Sequence, residues 1–191
     1  MKKIVLASNN KHKIEEFKKI LNDYEILSLD DIGFNIEIEE TGNTFLENAT
    51  IKTDTIYNFL KNKEYIIIAD DSGLCVNSLN GEPGIYSARY SGVHGDSKAN
   101  RDKLIKKLKG KDKNAYFICT IVVCYPDFTH KHFIGKTEGK IIDEERGKTD
   151  FGYDCIFYSN ELNKTFGEAT ENEKNSVSHR GRAIKEMLKS I

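Results

Sequence analysis

A mixed α/β fold is predicted by three features of the sequence. Short apolar runs alternate with stretches of helical periodicity through the first half, residues 114 to 142 alternate like a β-meander, and the C-terminal stretch returns to helical spacing. A single domain spanning 1–191 is expected, because a chain of 191 residues buries a sizeable core and no repeat or linker divides it.

Residues 2 to 7 read as a short buried strand. Ile14, Phe17, Ile20 and Leu21 then fall at helical spacing, so a strand runs into a helix through Ser8-Asn9-Asn10-Lys11-His12-Lys13. After a turn at Asp30-Asp31-Ile32-Gly33, alternation in Asn35 to Glu39 predicts an extended segment ending in acid. Phe45, Ala49, Lys52, Ile56 and Phe59 recur at steps of three and four, which predicts a second helix from about Thr44 to Asn62, with Lys52 breaking its apolar stripe. Tyr65 to Ala69 is a buried strand whose end carries Asp70-Asp71-Ser72-Gly73. Gly81-Glu82-Pro83-Gly84 marks a turn, and a lysine-rich helix follows around residues 97 to 109. The meander over 114 to 142 breaks at Pro126-Asp127. One last helix opens with a capping box at Thr170 to Glu173 and carries Val177, Ile184, Met187, Leu188 and Ile191.

Lys and Arg number 29 against 30 acidic residues, and the net charge of -1 provides no general attraction to nucleic acid or to an anionic membrane. The basic run Lys103, Lys106, Lys107, Lys109, Lys111 and Lys113 suggests an RNA- or nucleotide-binding module as a rival reading, but no aromatic residues interleave with it, so a solvated helix face is expected. No stretch approaches the roughly 20 apolar residues of a membrane span, and the start is too short in apolar residues for a signal-peptide core, so a cytoplasmic location is expected. Cys75, Cys119, Cys124 and Cys155 form no Cys-x-x-Cys pair and are expected to be small buried hydrophobes.

Three clusters carry candidate chemistry. Ser8 to Lys13 places hydroxyl, amide and ammonium groups at a helix start, where unpaired backbone amides favour an anion. The spacing is not that of a Walker A loop, and a plain helix cap from Asn9 or Asn10, with Lys11 and Lys13 in solvent, is the alternative. The second cluster pairs Glu39-Glu40 with Asp70-Asp71. If both doublets end strands at one sheet edge, up to four carboxylates converge, an arrangement that calls for a hard cation such as Mg²⁺; a solvated turn is the plain reading of Glu39-Glu40. The third comprises Phe151-Gly152-Tyr153-Asp154, Lys174, and Ser178-His179-Arg180-Gly181. An aromatic beside glycine offers a ring face to a base, and Lys, His and Arg offer donors to a base carbonyl. Phe151 in the core, Lys174 in solvent and a structural His179 are the alternatives.

Taken in order, these segments resemble the inosine triphosphate pyrophosphatase family over nearly the whole chain, nearest its bacterial branch. The matching stretches are Ser8 to Lys13, Glu39 to Ala49, Ala69 to Leu74, Gly84 to Tyr90, Phe151 to Asp154 and Ser178 to Gly181. The resemblance implies an elongated central mixed sheet flanked by helices, two lobes with an active-site cleft between them, and a homodimer. It also implies Mg²⁺-dependent cleavage of inosine, deoxyinosine and xanthosine triphosphates to monophosphate and pyrophosphate, which removes them from the nucleotide pool. Carried over by position, Ser8, Asn9, Asn10, Lys11, His12 and Lys13 form the triphosphate segment, with Ser8, Asn10 and Lys13 as direct contacts. Glu39 and Asp71 hold the metal, and Asp71 is the proton acceptor. Ser72, Phe151, Gly152, Tyr153, Asp154, Lys174, His179 and Arg180 line the nucleotide site. One departure is Cys155, where the family commonly has proline; it loosens one backbone angle and removes no reacting group. A related pyrophosphatase acting on modified pyrimidine or methylated nucleotides is the nearest rival.

Overall fold

A computed structural model describes residues 3–61 and 64–191. Its elements are β1 (Lys3–Leu6), α1 (Lys11–Ile20), β2 (Glu25–Leu27), α2 (Phe45–Phe59), β3 (Ile66–Val76), α3 (Ser97–Lys107), β4 (Asn114–Cys124), β5 (His130–Ile141), β6 (Phe157–Ser159), β7 (Lys164–Thr165), α4 (Glu171–Val177) and α5 (His179–Leu188). Lys2 and Asn62, ends of the first expected strand and of the second expected helix, lie outside the described residues.

The strands form one sheet in the order β2-β1-β3-β4-β5-β6-β7. β1 pairs in parallel with both β2 and β3, as strands joined through helical crossovers must, and β6 pairs antiparallel with β5 and β7. The sheet is therefore mixed, with helices flanking it, as expected from sequence. The chain divides into two compact units, the first built from residues 1–71, 120–134 and 183–191, the second from 72–119 and 135–182.

In the first unit the core gathers on one face of the parallel strands. Val5 and Ala7 of the β1 segment and Ile67 and Ala69 of β3 pack with Ile56 and Leu60 at the end of α2. Phe17 and Leu21 are fully buried, which accounts for the helical spacing of α1. In the second unit Leu74 and Val76 of β3 pack with Leu104 and Leu108, Phe117 of β4, and Phe157 and Phe166. All four cysteines are buried, and none is in a disulfide. The basic run is a largely exposed face of α3 and its trailing loop; Lys107 pairs with Glu82 at 2.6 Å and Lys113 with Asp143 at 2.5 Å.

Four expectations need correction. Asn35 to Glu39 joins no strand of the sheet, so Glu39-Glu40 does not end a strand at the sheet edge beside Asp70-Asp71. The buried strand does not end at the acidic doublet. β3 continues to Val76, and the cost of burying Asp70 and Asp71 within it is met by cationic and amide partners described below. Phe59 closes the apolar stripe of α2 but stays 43% exposed at the helix end, its ring T-shaped against Phe34 with centroids 5.0 Å apart. The last helix is two helices. Thr170 and Glu173 form the expected capping box of α4, but Ser178 is extended and its hydroxyl accepts from the Gly181 amide at 3.1 Å, starting α5 afresh.

Candidate active site

The Ser8 to Lys13 segment joins β1 to α1. The Asn10 side chain caps α1 by accepting from the Lys13 amide at 3.2 Å, and the Ser8 hydroxyl accepts from the Asn10 amide at 3.2 Å. The cap reading is thus right for Asn10 and wrong in placing Lys13 in solvent: its ammonium lies 3.0 Å from an Asp70 carboxylate oxygen and is largely buried there. Asn9, Lys11 and His12 sit on the exposed side of the same turn.

Asp70 and Asp71 are consecutive in a strand, so their side chains leave opposite faces of the sheet. Asp70 meets Lys13 of α1. Asp71 follows Ile67 and Ala69 onto the α2 face, where its carboxylate accepts from the Asn48 side-chain amide at 3.0 Å. The carbonyl oxygen of Asn48 accepts from the Gly42 amide at 2.8 Å, which fixes which way the amide points and ties Asp71 to the Glu39-Glu40 loop. That loop comes close: a Cβ on Gly42 would stand 2.6 Å from the Glu47 Cβ. Lys52 completes the arrangement. Its ammonium donates to Glu40 at 2.9 Å and to the Asp70 carbonyl oxygen at 2.6 Å.

The carboxylates of the two doublets thus do not all converge: Glu40 pairs with the buried Lys52 ammonium, Asp70 turns its carboxylate to Lys13 on the other face and offers Lys52 only its carbonyl, and Asp71 acts on Lys52 through its nearby charge. Burial works against the charge on Lys52, but Asp71, Glu40 and Asp70 together outweigh it and hold the amine protonated. For Asp71 burial wins in the other direction: it pushes the carboxyl up, against the lowering effects of Lys52 and Lys13. Glu39 is exposed, adjacent to Glu40. An all-oxygen set with one desolvated carboxylate fits a hard cation, since added positive charge would favour the ionised form of Asp71.

In the second unit, Phe151 to Asp154 forms a tight turn in which the Asp154 amide donates to the Phe151 carbonyl at 3.1 Å. Gly152 has φ of 55°, a left-handed conformation that a side chain would disfavour. Asp154 is buried and pairs with Lys174 at 2.7 Å, and the Lys174 ammonium also stands 5.1 Å from the centroid of the Phe151 ring. The half-buried Phe151 is not a core residue. Tyr153 is buried instead, and its hydroxyl donates to the Ser87 carbonyl at 2.9 Å while burial pushes its phenol up. Arg180 donates to the Ser72 hydroxyl at 2.9 Å, and the His179 ring stacks on Phe117 with centroids 4.7 Å apart.

Asn48, Lys52 and Arg101 emerge from the structure without a role expected from sequence. Arg101 is 2% exposed; it pairs with Glu145 and Asp150 and donates to the Gly152 carbonyl at 2.9 Å, holding the turn that carries Phe151. Asn48 and Lys52 had a signal, being an amide and a cation spaced i, i+4 on the helix face that also carries Ala49 and Ile56. Arg101 had none, because it is one cation among many in α3.

Residues 4–190 match the family model described as the Ham1 family. The chain belongs to the Ham1 family. Among curated Ham1-like relatives, a Clostridium perfringens protein named dITP/XTP pyrophosphatase is 46% identical, the match covering 100% of this chain and 98% of the relative. A Bacillus subtilis protein of the same name is 44% identical over 100% of this chain and 98% of its own length. The solved Ham1 protein of Staphylococcus aureus has a TM-score of 0.86 at 44% identity, over 97% of this chain and 96% of that one. A Coxiella burnetii HAM1 protein gives 0.83 at 34% identity, over 98% and 96%. The family assigned by these comparisons agrees with the resemblance read from the motifs.

Proposed function

We propose that this Ham1 family chain hydrolyses inosine, deoxyinosine and xanthosine triphosphates to the monophosphate and pyrophosphate, with Mg²⁺ as cofactor. The observation that carries the reading is the pairing of Lys13, from the helix-start segment suited to phosphate, with Asp70, next to a buried Asp71 oriented by Asn48. The names of the full-length relatives point the same way.

In this reading the α1 start and Lys13 bind the triphosphate, and Lys52 sets the positions of Glu40 and the β3 backbone. Asp71, oriented by the Asn48 amide, accepts a proton from the attacking water. Bound Mg²⁺, held by Glu39 and Asp71, supplies charge neutralisation to the phosphates. Positioning and charge supply most of the acceleration in reactions at phosphorus, which suits a site of fixed ions and amides.

For the base, Lys174, His179 and Arg180 supply donors that suit a 6-carbonyl. Adenine would set a 6-amino donor against them, and each unmatched buried donor costs roughly 1 to 3 kcal/mol. Phe151 supplies a ring face. A homodimer and a cytoplasmic location belong to the same proposal through the family resemblance; among the described residues no helix is long and apolar enough to cross a membrane.

The test is pyrophosphate release from ITP, dITP, XTP, GTP and ATP, with Mg²⁺ and with chelator. Fast Mg²⁺-dependent release from the first three is expected. Equal rates on all five would reject the donor pocket, and release unaffected by chelator would reject the metal.

A further inference from the structure

The first unit holds a second group of metal-ligating side chains, which includes neither acidic doublet. β4 ends at Cys124 and β5 begins at His130, and the turn between them is closed by the Tyr125 amide donating to the Thr129 carbonyl at 2.9 Å. In an antiparallel hairpin the next pair inward is Cys124 and His130, so their side chains share one face as cross-strand neighbours. α2 lies on that face. Asp54 reaches the His130 Nε2 at 2.7 Å, and Tyr57 donates from its hydroxyl to the Pro126 carbonyl at 3.1 Å while its ring packs on Phe128. Phe128 in turn meets the edge of His130 at 5.0 Å, which fixes the imidazole.

The carboxylate oxygen, imidazole nitrogen and thiol sulfur of Asp54, His130 and Cys124 all lie within 4.8 Å of one another. In a tetrahedral zinc sphere with bonds of about 2.0 to 2.3 Å, ligand atoms stand roughly 3.3 to 3.8 Å apart, so small side-chain movements would close the set. Cys124 is buried in the core, its thiol donating to the Tyr125 carbonyl at 3.7 Å, while the His130 and Asp54 side chains are 28% and 36% exposed, so two of the three ligands reach solvent. Nitrogen, sulfur and oxygen ligands together favour a borderline-soft divalent ion over Mg²⁺.

We propose that Asp54, Cys124 and His130 bind one Zn²⁺, with water as the fourth ligand and Cys124 ligating as the thiolate. The ion staples α2 to the β4–β5 hairpin. Because α2 also carries Asn48 and Lys52, the staple braces the helix that orients Asp71, without entering the reaction.

The experiment is titration of the chelator-treated full chain with Co²⁺ as a spectroscopic substitute, in excess Mg²⁺ to fill carboxylate sites. One equivalent bound with a thiolate-to-cobalt charge-transfer band, displaced by Zn²⁺, is expected. The band should vanish in Cys124→Ser, and affinity should fall by more than about tenfold in His130→Ala, a substitution at an exposed residue that leaves the core intact. Absence of the band in the unaltered chain, its persistence in Cys124→Ser, or unchanged affinity in His130→Ala would each overturn the site. None of these readouts depends on nucleotide hydrolysis, so the zinc site and the proposed activity stand or fall separately.

Discussion

The ammonium of Lys52 donates to the backbone carbonyl of Asp70 at 2.6 Å. Through that bond, and a second to Glu40, one side chain of α2 holds both a strand and a loop. At 8% exposed, Lys52 has exchanged water for these two partners and for the nearby Asp71 charge.

Lys52→Met should therefore be severe. Removing one member of a buried charge cluster leaves the others uncompensated, at a cost of about 3 to 5 kcal/mol. Denaturant unfolding should show that loss, and pyrophosphate release should fall even where the variant remains folded. Lys106→Met, on the exposed face of α3, should stay within about 0.5 kcal/mol of the parent.

Asp71→Asn should divide its effect differently. Burial disfavours the charged carboxyl, and an Asn side chain can keep its oxygen toward the Asn48 amide, but Lys52 loses the nearby Asp71 charge, so stability should fall, by less than in Lys52→Met. Loss of the proton acceptor should lower kcat by about 10² to 10⁴ while nucleotide binding persists. Steady-state rates beside calorimetric binding would separate the two, and near-normal turnover would remove Asp71 from its role.

Gly181→Ala tests the corner between α4 and α5. A Cβ there would lie 2.0 Å from the Asn175 carbonyl oxygen, so backbone must shift. Overpacking of this kind costs about 1 to 3 kcal/mol. Because His179 and Arg180 flank the corner, KM for the nucleotide should rise more than kcat falls; a thermal melt and a saturation curve would check both.

Acid should loosen α4 through Glu173. Its carboxyl is held at about 2, below its ordinary 4.5, by the Lys164 ammonium first and then by the Thr170 backbone amide and hydroxyl. The folded-state value is depressed, so its stabilisation is fully present above pH 4.5 and is lost as pH falls through about 2. The stability gap between the parent and Glu173→Gln should follow that window in denaturation curves taken across pH. A gap independent of pH would show that the carboxylate charge contributes nothing.

The alternation of β4 and β5, the stripe of α1 and the capping box of α4 were all legible in the sequence, because each depends on residues within a few positions of one another. The motif segments were legible for the same reason, and their order identified the family. What local pattern missed is instructive. It ended the buried strand at Asp70, since two acids inside a strand make sense only once Lys13, Asn48 and Lys52 are in place around them. It ran one helix through Ser178, whose hydroxyl caps a new helix only because that residue turns extended.

By itself, then, the sequence determined the mixed α/β class, most of the strands and helices, and the residue types available for phosphate, metal and base. Only the tertiary structure decided that Glu40 rather than Glu39 pairs with Lys52, that Tyr153 is held by Ser87, and that Asp54, Cys124 and His130 meet. The physical reason is that a side chain's charge state and partners are set by burial and by neighbours distant in sequence, and a one-dimensional pattern carries no record of either.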